Sequence, residues 1–351
     1  MAPRLPRIGG IVSKPVDTVG RVANTPIGNA GRFRPFYALN LVDRIVNGNR
    51  TLEDAVADKV VLITGASSGI GKATALELGR AGAKVILVAR GQEALDETRE
   101  EIEAEGGTAF AYPCDLTDYD AIDALADRVI EDHGRVDVLV NNAGRSIRRS
   151  MELSYDRFHD FERTMQLNYF APVRLILRLL PGMRERGEGQ IINISSIGVQ
   201  ARAARFGAYI ASKAALDTLS DAVQAEAHSD GVRFTTIHMP LVRTPMIAPT
   251  KAYDRVPTLS PEQAAAVITS GIVHRPRRLG SPIGHAAAFV DAINPQLMDI
   301  LRNRGYQLFP DSKAARASAS TSTRSLPPGV GDEELTRAGQ AFARVTRGVH
   351  W

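Results

Sequence analysis

The stretch KVVLITGASSGIG, residues 59–71, decides the fold. Residues 59–64 are a short apolar run rich in β-branched side chains, the pattern of a strand buried on both faces. Gly65, Gly69 and Gly71 follow at once and open a helical pattern over about 70–81. A Gly-rich turn between a strand and a helix N-terminus suits a phosphate group. The first helical N–H groups lack intrahelical partners, and the helix dipole favours an anion there. Gly65 permits the tight turn, Gly69 the approach of backbone to a pyrophosphate, and Gly71 close packing of helix on strand. Ser67, Ser68 and Ile70 complete this candidate dinucleotide-binding turn. Its spacing is G-x-x-x-G-x-G, not the G-x-G-x-x-G of other dinucleotide folds. By itself such a turn also serves as a plain strand–helix connection.

Outward from this turn, strand and helix patterns alternate. Residues 84–89, 108–113, 136–140, 190–195 and 233–238 read as further strands. Helical patterns over about 91–105, 118–133, 155–185 and 208–228 separate or follow them. Repeated β–α–β units imply an α/β fold: a Rossmann-type doubly wound parallel sheet flanked by helices. Such sheets bind ligands at the carboxyl ends of their strands. The alternation is expected to stop after Val273. Residues 284–304 read as helical with a break at Pro295, residues 312–333 as a mobile low-complexity segment, and about 333–346 as a last helix. The expected division is a loosely ordered leader (1–50), a catalytic domain (51–280) and a C-terminal helical extension (281–351).

Composition narrows the function classes. An apolar fraction of 44 % in 351 residues supports a sizeable core. One cysteine excludes an internal disulfide and fits a cytoplasmic protein. No apolar run reaches the roughly 18–20 residues needed to span a bilayer, and no signal peptide is visible. Of the net charge of +4, the leader accounts for more than all: Arg4, Arg7, Lys14, Arg21, Arg32 and Arg34 face Asp17 alone within residues 1–42. This leader reads either as a solvated tail or as a patch for anionic membrane or an anionic substrate. Nucleic acid is not expected, since no binding motif accompanies the charge. Phe36, Leu39, Val42 and Val46 recur at helical steps and suggest a short amphipathic helix beside it.

The chemistry-bearing residues fall at strand ends. An acidic residue about 20 positions past the Gly-rich turn would bind the ribose of NAD. The sequence has Ala89 and Arg90 instead, and an arginine there pairs with the 2′-phosphate of NADPH; it also reads as a plain surface arginine. Asp115 and Leu116 close the third strand. Asp115 either bonds the adenine amine or caps the helix from residue 118. NNAG, residues 141–144, closes the fourth strand: the Asn141 and Asn142 side chains brace neighbouring backbone while Gly144 leaves room for a cofactor, with Asn142, Ala143 and Gly144 as cofactor-binding candidates. YIASK, residues 209–213, sets Tyr209 and Lys213 one turn apart on one helix face. A cation beside the phenol lowers a pKa that starts at about 10. The phenol then serves as an acid near neutral pH. Ser196, thirteen residues before Tyr209, ends a strand where its hydroxyl can hold a substrate oxygen. No metal site is expected.

Together these motifs resemble the short-chain dehydrogenase/reductases over about residues 58–275. That resemblance implies catalysis by Ser196, Tyr209 and Lys213, joined by Asn168, which holds a water that reconnects the lysine to solvent. It also implies that Thr244, in PLVRT (240–244), contacts the nicotinamide carboxamide. Leu241 departs from the glycine usual in that segment. A closer likeness rests on NAGRSIRR (142–149), FHDFERTMQLNY (158–169), MPLVRTPMIAPTK (239–251), PTLSPE (257–262) and the final VHW (349–351). These look like bacterial long-chain fatty acyl-CoA reductases, which form fatty aldehydes, as in wax ester synthesis. The resemblance implies long-chain acyl-CoA as substrate; NADPH, read from Arg90, is the expected cofactor, and a homo-oligomer is expected. Arg145, Arg148, Arg149, Arg202 and Arg205 flank the catalytic segments and either meet CoA phosphates or solubilise the surface. Met246, Ile247 and residues 286–301 line an acyl channel, pack in the core or make a dimer contact. The rival activities are ketone or 3-oxoacyl reduction by the same residues, and a scaffold that binds NADPH without turnover.

Overall fold

Every residue of β1 (Val60–Thr64) is buried, as its apolar run predicts. β1 pairs in parallel with β2 (Lys84–Ala89) on one side and β4 (Val138–Asn141) on the other, with Val61 opposite both Val85 and Val138. β3 (Thr108–Pro113), β5 (Gly189–Ser196), β6 (Val232–Met239) and β7 (Arg278–Gly280) complete a seven-stranded parallel sheet in the order β3-β2-β1-β4-β5-β6-β7. A computed structural model describes residues 50–248, 257–309, 311, 315 and 316. The expected amphipathic helix near residue 40, most of the 312–333 segment and the expected last helix lie outside the described residues.

Side chains alternate across the sheet with a period of two. Val61, Ile63, Val85, Leu87, Ile192 and Ile237 face one core. Leu62, Ile86, Leu139, Ile191 and Phe234 face the other. Each such side chain contributes roughly 1.5–3 kcal/mol when fully buried. The first core is closed by α1 (Leu52–Val56), α2 (Gly69–Arg80), α3 (Gln92–Ala104) and α9 (Pro261–His274). The second is closed by α4 (Tyr119–His133), α6 (Ala171–Glu185) and α8 (Gly207–Ala227). Asp118 caps α4 by accepting from the N–H groups of Asp120 and Ala121, and Gly134, at φ 77°, ends it.

Three elements differ from the sequence reading. The alternation does not stop after Val273, because β7 follows; three residues led by an arginine carry no periodic signal. α9 escaped notice because residues 264–273 are buried all round, which leaves no polar face to mark a helical period. The long pattern over 155–185 is two helices, α5 (Phe158–Met165) and α6, joined through one widened π-type turn, Gln166–Phe170. Beyond the sheet, α7 (Ile197–Ala201), α10 (Pro282–Ile293) and α11 (Pro295–Leu308) follow. Among the described residues, no helix is long and apolar enough to cross a membrane.

The strand order reverses between β1 and β4. A crevice opens there at the carboxyl ends of the strands. Gly65 follows β1, Asn142 follows β4 and Ser196 ends β5, so all three motifs meet at that edge.

Candidate active site

The Gly-rich turn is a cradle that side chains would fill. Gly65 has φ +69° and Gly69 φ +55°, backbone that glycine adopts without strain. A Cβ on Gly71 would stand 2.1 Å from the Gly65 carbonyl oxygen, and one on Gly65 3.0 Å from the Ala143 Cα. Ser68 occupies the N-cap of α2 but makes no side-chain capping bond there. The turn is laced to β4: Thr64 Oγ1 accepts from the N–H groups of Asn142 and Ala143, both at 3.0 Å, and Asn142 Nδ2 donates to the Thr64 carbonyl at 2.9 Å. Thr244 Cγ2 would lie 3.0 Å from a Cβ on Gly69, so Thr244 sits against the turn. Leu241 is not strained: the Leu259 N–H donates to its carbonyl, and it is not among the non-glycine residues of positive φ. This open, donor-rich cradle fits a dinucleotide pyrophosphate.

Cations gather beside it. Arg90 is exposed just past β2. The Asp115 carboxyl is held below its usual range by the Thr117 N–H (2.9 Å) and hydroxyl (2.8 Å), with smaller help from Arg90 and Arg145. Of the two readings of Asp115, the cap is excluded, since Asp118 caps α4. Leu116 is buried.

α8 carries the catalytic candidates. The Lys213 ammonium is buried and donates to the Ile194 carbonyl at 2.8 Å. Burial depresses it to about 8. Tyr209 bonds Ser196, whose Oγ also accepts the Gly198 N–H at 3.0 Å. Burial raises the Tyr209 phenol; the Ser196 bond opposes this and the charge of Asp217 reinforces it. The expected lowering by Lys213 is therefore not found, because desolvation dominates and Nζ is directed at Ile194. Gly144 keeps space between these groups: a Cβ there would lie 3.4 Å from Lys213 Nζ and 3.2 Å from Asn168 Oδ1.

Asn168, in the π-type turn, is fully buried. Its Oδ1 accepts the Arg145 N–H (2.8 Å), and its Nδ2 donates to the Arg145 carbonyl (2.9 Å) and Ser212 Oγ (3.0 Å). The side chain thus braces the loop after β4. The backbone carbonyl of Asn168 receives no N–H from the residue four ahead, Pro172, which has none to give.

Four of the arginines that flank the catalytic segments have protein partners. Arg148 donates to the Phe309 carbonyl (3.0 Å) and Arg149 to that of Ala315 (2.8 Å). Arg149 also meets the buried Asp160, on which Arg157 and Arg163 converge. Arg205 donates to the Tyr306 carbonyl (2.8 Å), pairs with Asp311 (3.1 Å) and stacks over the Tyr306 ring. Arg202 pairs with Asp291 at 2.6 Å. These four residues clamp the segment after β7 onto the loops around the site. Carbonyls at the end of a helix, together with buried carboxylates, outcompete solvent for guanidinium groups. Residues of the proposed acyl channel, Met246, Phe289, Ile293, Leu297, Ile300 and Leu301, are exposed.

Two features escaped the sequence reading. Ser195 and His238 both hold Asp217, at 2.8 and 3.0 Å. Asn141, Asn193 and Ser220 form a buried chain, Asn141 Nδ2 to Asn193 Oδ1 at 2.8 Å and Asn193 Nδ2 to Ser220 Oγ at 2.8 Å. The four-residue step from Lys213 to Asp217 was the one available signal. Cys114 is buried, and its thiol, pushed up to about 11, donates to the Ala121 carbonyl. Among the described residues, no cluster of metal ligands occurs.

Residues 59–254 match the short chain dehydrogenase family, and the chain belongs to it: an oxidoreductase of a family that binds NAD(P). Its relatives narrow this. It is 52 % identical over 307 residues to a fatty acyl-CoA reductase of Acinetobacter baylyi, covering 86 % of this chain and all of that one. It is 58 % identical to an uncharacterized oxidoreductase of Mycobacterium tuberculosis, covering 97 % of each. A crystal structure of a metagenomic short-chain oxidoreductase in complex with NADP superposes with a TM-score of 0.54 at 33 % identity, covering 64 % of this chain and 94 % of that one.

Proposed function

We propose that the protein reduces long-chain fatty acyl-CoA to fatty aldehyde with NADPH by direct hydride transfer. The similarity to the Acinetobacter baylyi reductase, which spans that whole protein, carries this reading. Gly65, Ser67, Ser68, Gly69, Ile70, Gly71, Asn142, Ala143, Gly144 and Thr244 would hold the dinucleotide, with Asp115 and Leu116 at its adenine end and Arg90 at its 2′-phosphate. When bound, the cofactor supplies the hydride that adds to the thioester carbon. Ser196 and Tyr209 donate hydrogen bonds to the oxygen as its charge grows. Tyr209 gives up its proton there, and the resulting hemithioacetal releases CoA thiol and leaves the aldehyde. Lys213 keeps the tyrosine supplied with protons, through a water held by Asn168. A homo-oligomer in the cytoplasm, with its basic leader resting on anionic lipid, completes the reading.

Arg90 is the reason to name NADPH. Ala89→Asp sets a carboxylate where a 2′-phosphate would lie, and it should turn a preference for NADPH into one for NADH. Steady-state kinetics with both cofactors measures this; equal use of the two by the unaltered protein would remove the assignment.

Cys114 stands at the adenine end, buried and with a raised thiol, so no acyl-enzyme is expected. With acyl-CoAs of graded length, NADPH oxidation should match thiol release mole for mole. Cys114→Ala should keep most of both, whereas Ser196→Ala should lose about 10²–10³-fold. Oxidation of NADPH with ketones and no thiol release from any acyl-CoA would establish ketone reduction instead. An acyl group trapped on Cys114 would exclude direct transfer.

A further inference from the structure

Next to the catalytic pair lies a polar cluster, Ser195, His238 and Asp217, that the reaction above leaves unused. Ser195 and His238 stand directly opposite each other in β5 and β6, so their side chains leave the sheet on the same face. Both reach one oxygen of Asp217: Ser195 Oγ donates to it at 2.8 Å, and His238 Nε2 lies 3.0 Å away. Ser195 is 3 % and His238 5 % exposed. The other Asp217 oxygen and His238 Nδ1 are enclosed without a hydrogen-bond partner. Two neighbours on adjacent strands thus fix the same oxygen of Asp217, which sets the direction of the carboxylate.

Asp217 follows Lys213 by four residues on α8, one turn away on the same face. Adjacent residues of β5 fix the two: the Ile194 carbonyl takes the Lys213 ammonium and the Ser195 hydroxyl takes Asp217. We propose that Asp217, anchored by Ser195 and His238, is a positioning residue: the counter-ion one helical turn from Lys213 that holds the ammonium and the Tyr209 hydroxyl in their working arrangement.

The field at Lys213 has few other sources. α8 itself brings Tyr209 and Asp217. β6 brings His238, and His285 on α10 interacts with His238. Arg277, ahead of β7, interacts with Asp217 while pairing with Asp221. β5 and the π-type turn offer the neutral Ile194 carbonyl and Asn168. Against burial, which disfavours the ammonium, Asp217 is the one opposing cause found for Lys213. The same charge favours protonated Tyr209. Losing it moves both groups toward deprotonation at lower pH, so the two effects share a sign.

The proposal rests on Tyr209 and Lys213 as the catalytic pair and not on the substrate, and its test uses cofactor binding. NADPH affinity of the full chain is followed by nicotinamide fluorescence across pH, with no acyl-CoA present. The unaltered protein should lose affinity through a group titrating near 8. Asp217→Asn should move that loss to lower pH by on the order of one unit, which is the size of a single close-charge effect. Asp217→Ser should do the same, so either folded neutral variant suffices. Asp217→Glu should restore the profile, and Ser195→Ala, which keeps the carboxylate but removes one anchor, should shift it less than the neutral variants do. A uniform weakening at every pH in the neutral variants would overturn the proposal, as would an unaltered protein with no alkaline loss. A shifted binding profile in a protein that reduces no acyl-CoA would sink the substrate reading and keep this one.

Discussion

Tyr209→Phe should bind NADPH as the unaltered protein does and turn over at least about 10²–10⁴-fold more slowly. That range corresponds to roughly 3–5.5 kcal/mol in the barrier. The substitution removes one oxygen from a ring whose position α8 fixes, and it leaves Lys213 on the Ile194 carbonyl. On the proposed mechanism, the donor that completes the oxyanion site with Ser196 is lost, and with it the proton that the product oxygen needs. Burial raises the phenol, so the acid form is the resting one at neutral pH, which is the form reduction requires. Turnover and cofactor binding measured on one preparation separate chemistry from folding. Retention of more than about a tenth of the rate would mean that another group donates the proton.

The second large effect is on stability. Asp160 is 2 % exposed and draws Arg149, Arg157 and Arg163 together, with His159 at 3.3 Å. Asp160→Ala removes the anion at the centre of this group and leaves guanidinium charge crowded beside the site. Removing one partner from a buried ion pair typically costs about 3–5 kcal/mol. The thermal midpoint should fall by about 4–7 °C. Asp160→Asn, which keeps hydrogen-bond acceptance without the charge, should cost less. A midpoint within a degree or two of the unaltered protein would show that water already reaches the cluster.

What the sequence made legible follows from where local physics decides the outcome. The strand at Val60–Thr64 is read from its apolar run because a central parallel strand must be apolar on both faces. The glycines of the turn are read because other residues would collide there, as the 2.1 Å approach at Gly71 demonstrates. Tyr209, Lys213 and Ser196 are read because their spacing matches one helix turn and one strand end. The partners of Arg148, Arg149 and Arg205 were not legible. They lie about 100–166 residues away in the chain and are mostly backbone carbonyls, which no side-chain pattern announces. The environment of Tyr209 was misjudged for a related reason: sequence spacing gives the neighbouring cation but not the desolvation that outweighs it.

The arginine clamp has a practical bearing on how this chain is engineered. Phe309, Asp311 and Ala315 lie about a hundred or more residues from Ser196 and Tyr209 in the chain, yet they grip the loop that carries Gly144 and Arg145. The tail therefore behaves as a splint for the entrance to the cradle. A shortened version trimmed to the last strand, after Gly280, would look like a tidy catalytic unit and would have lost its splint. Chain trimming, reporter fusions and linker insertions near residues 306–316 thus belong to active-site engineering.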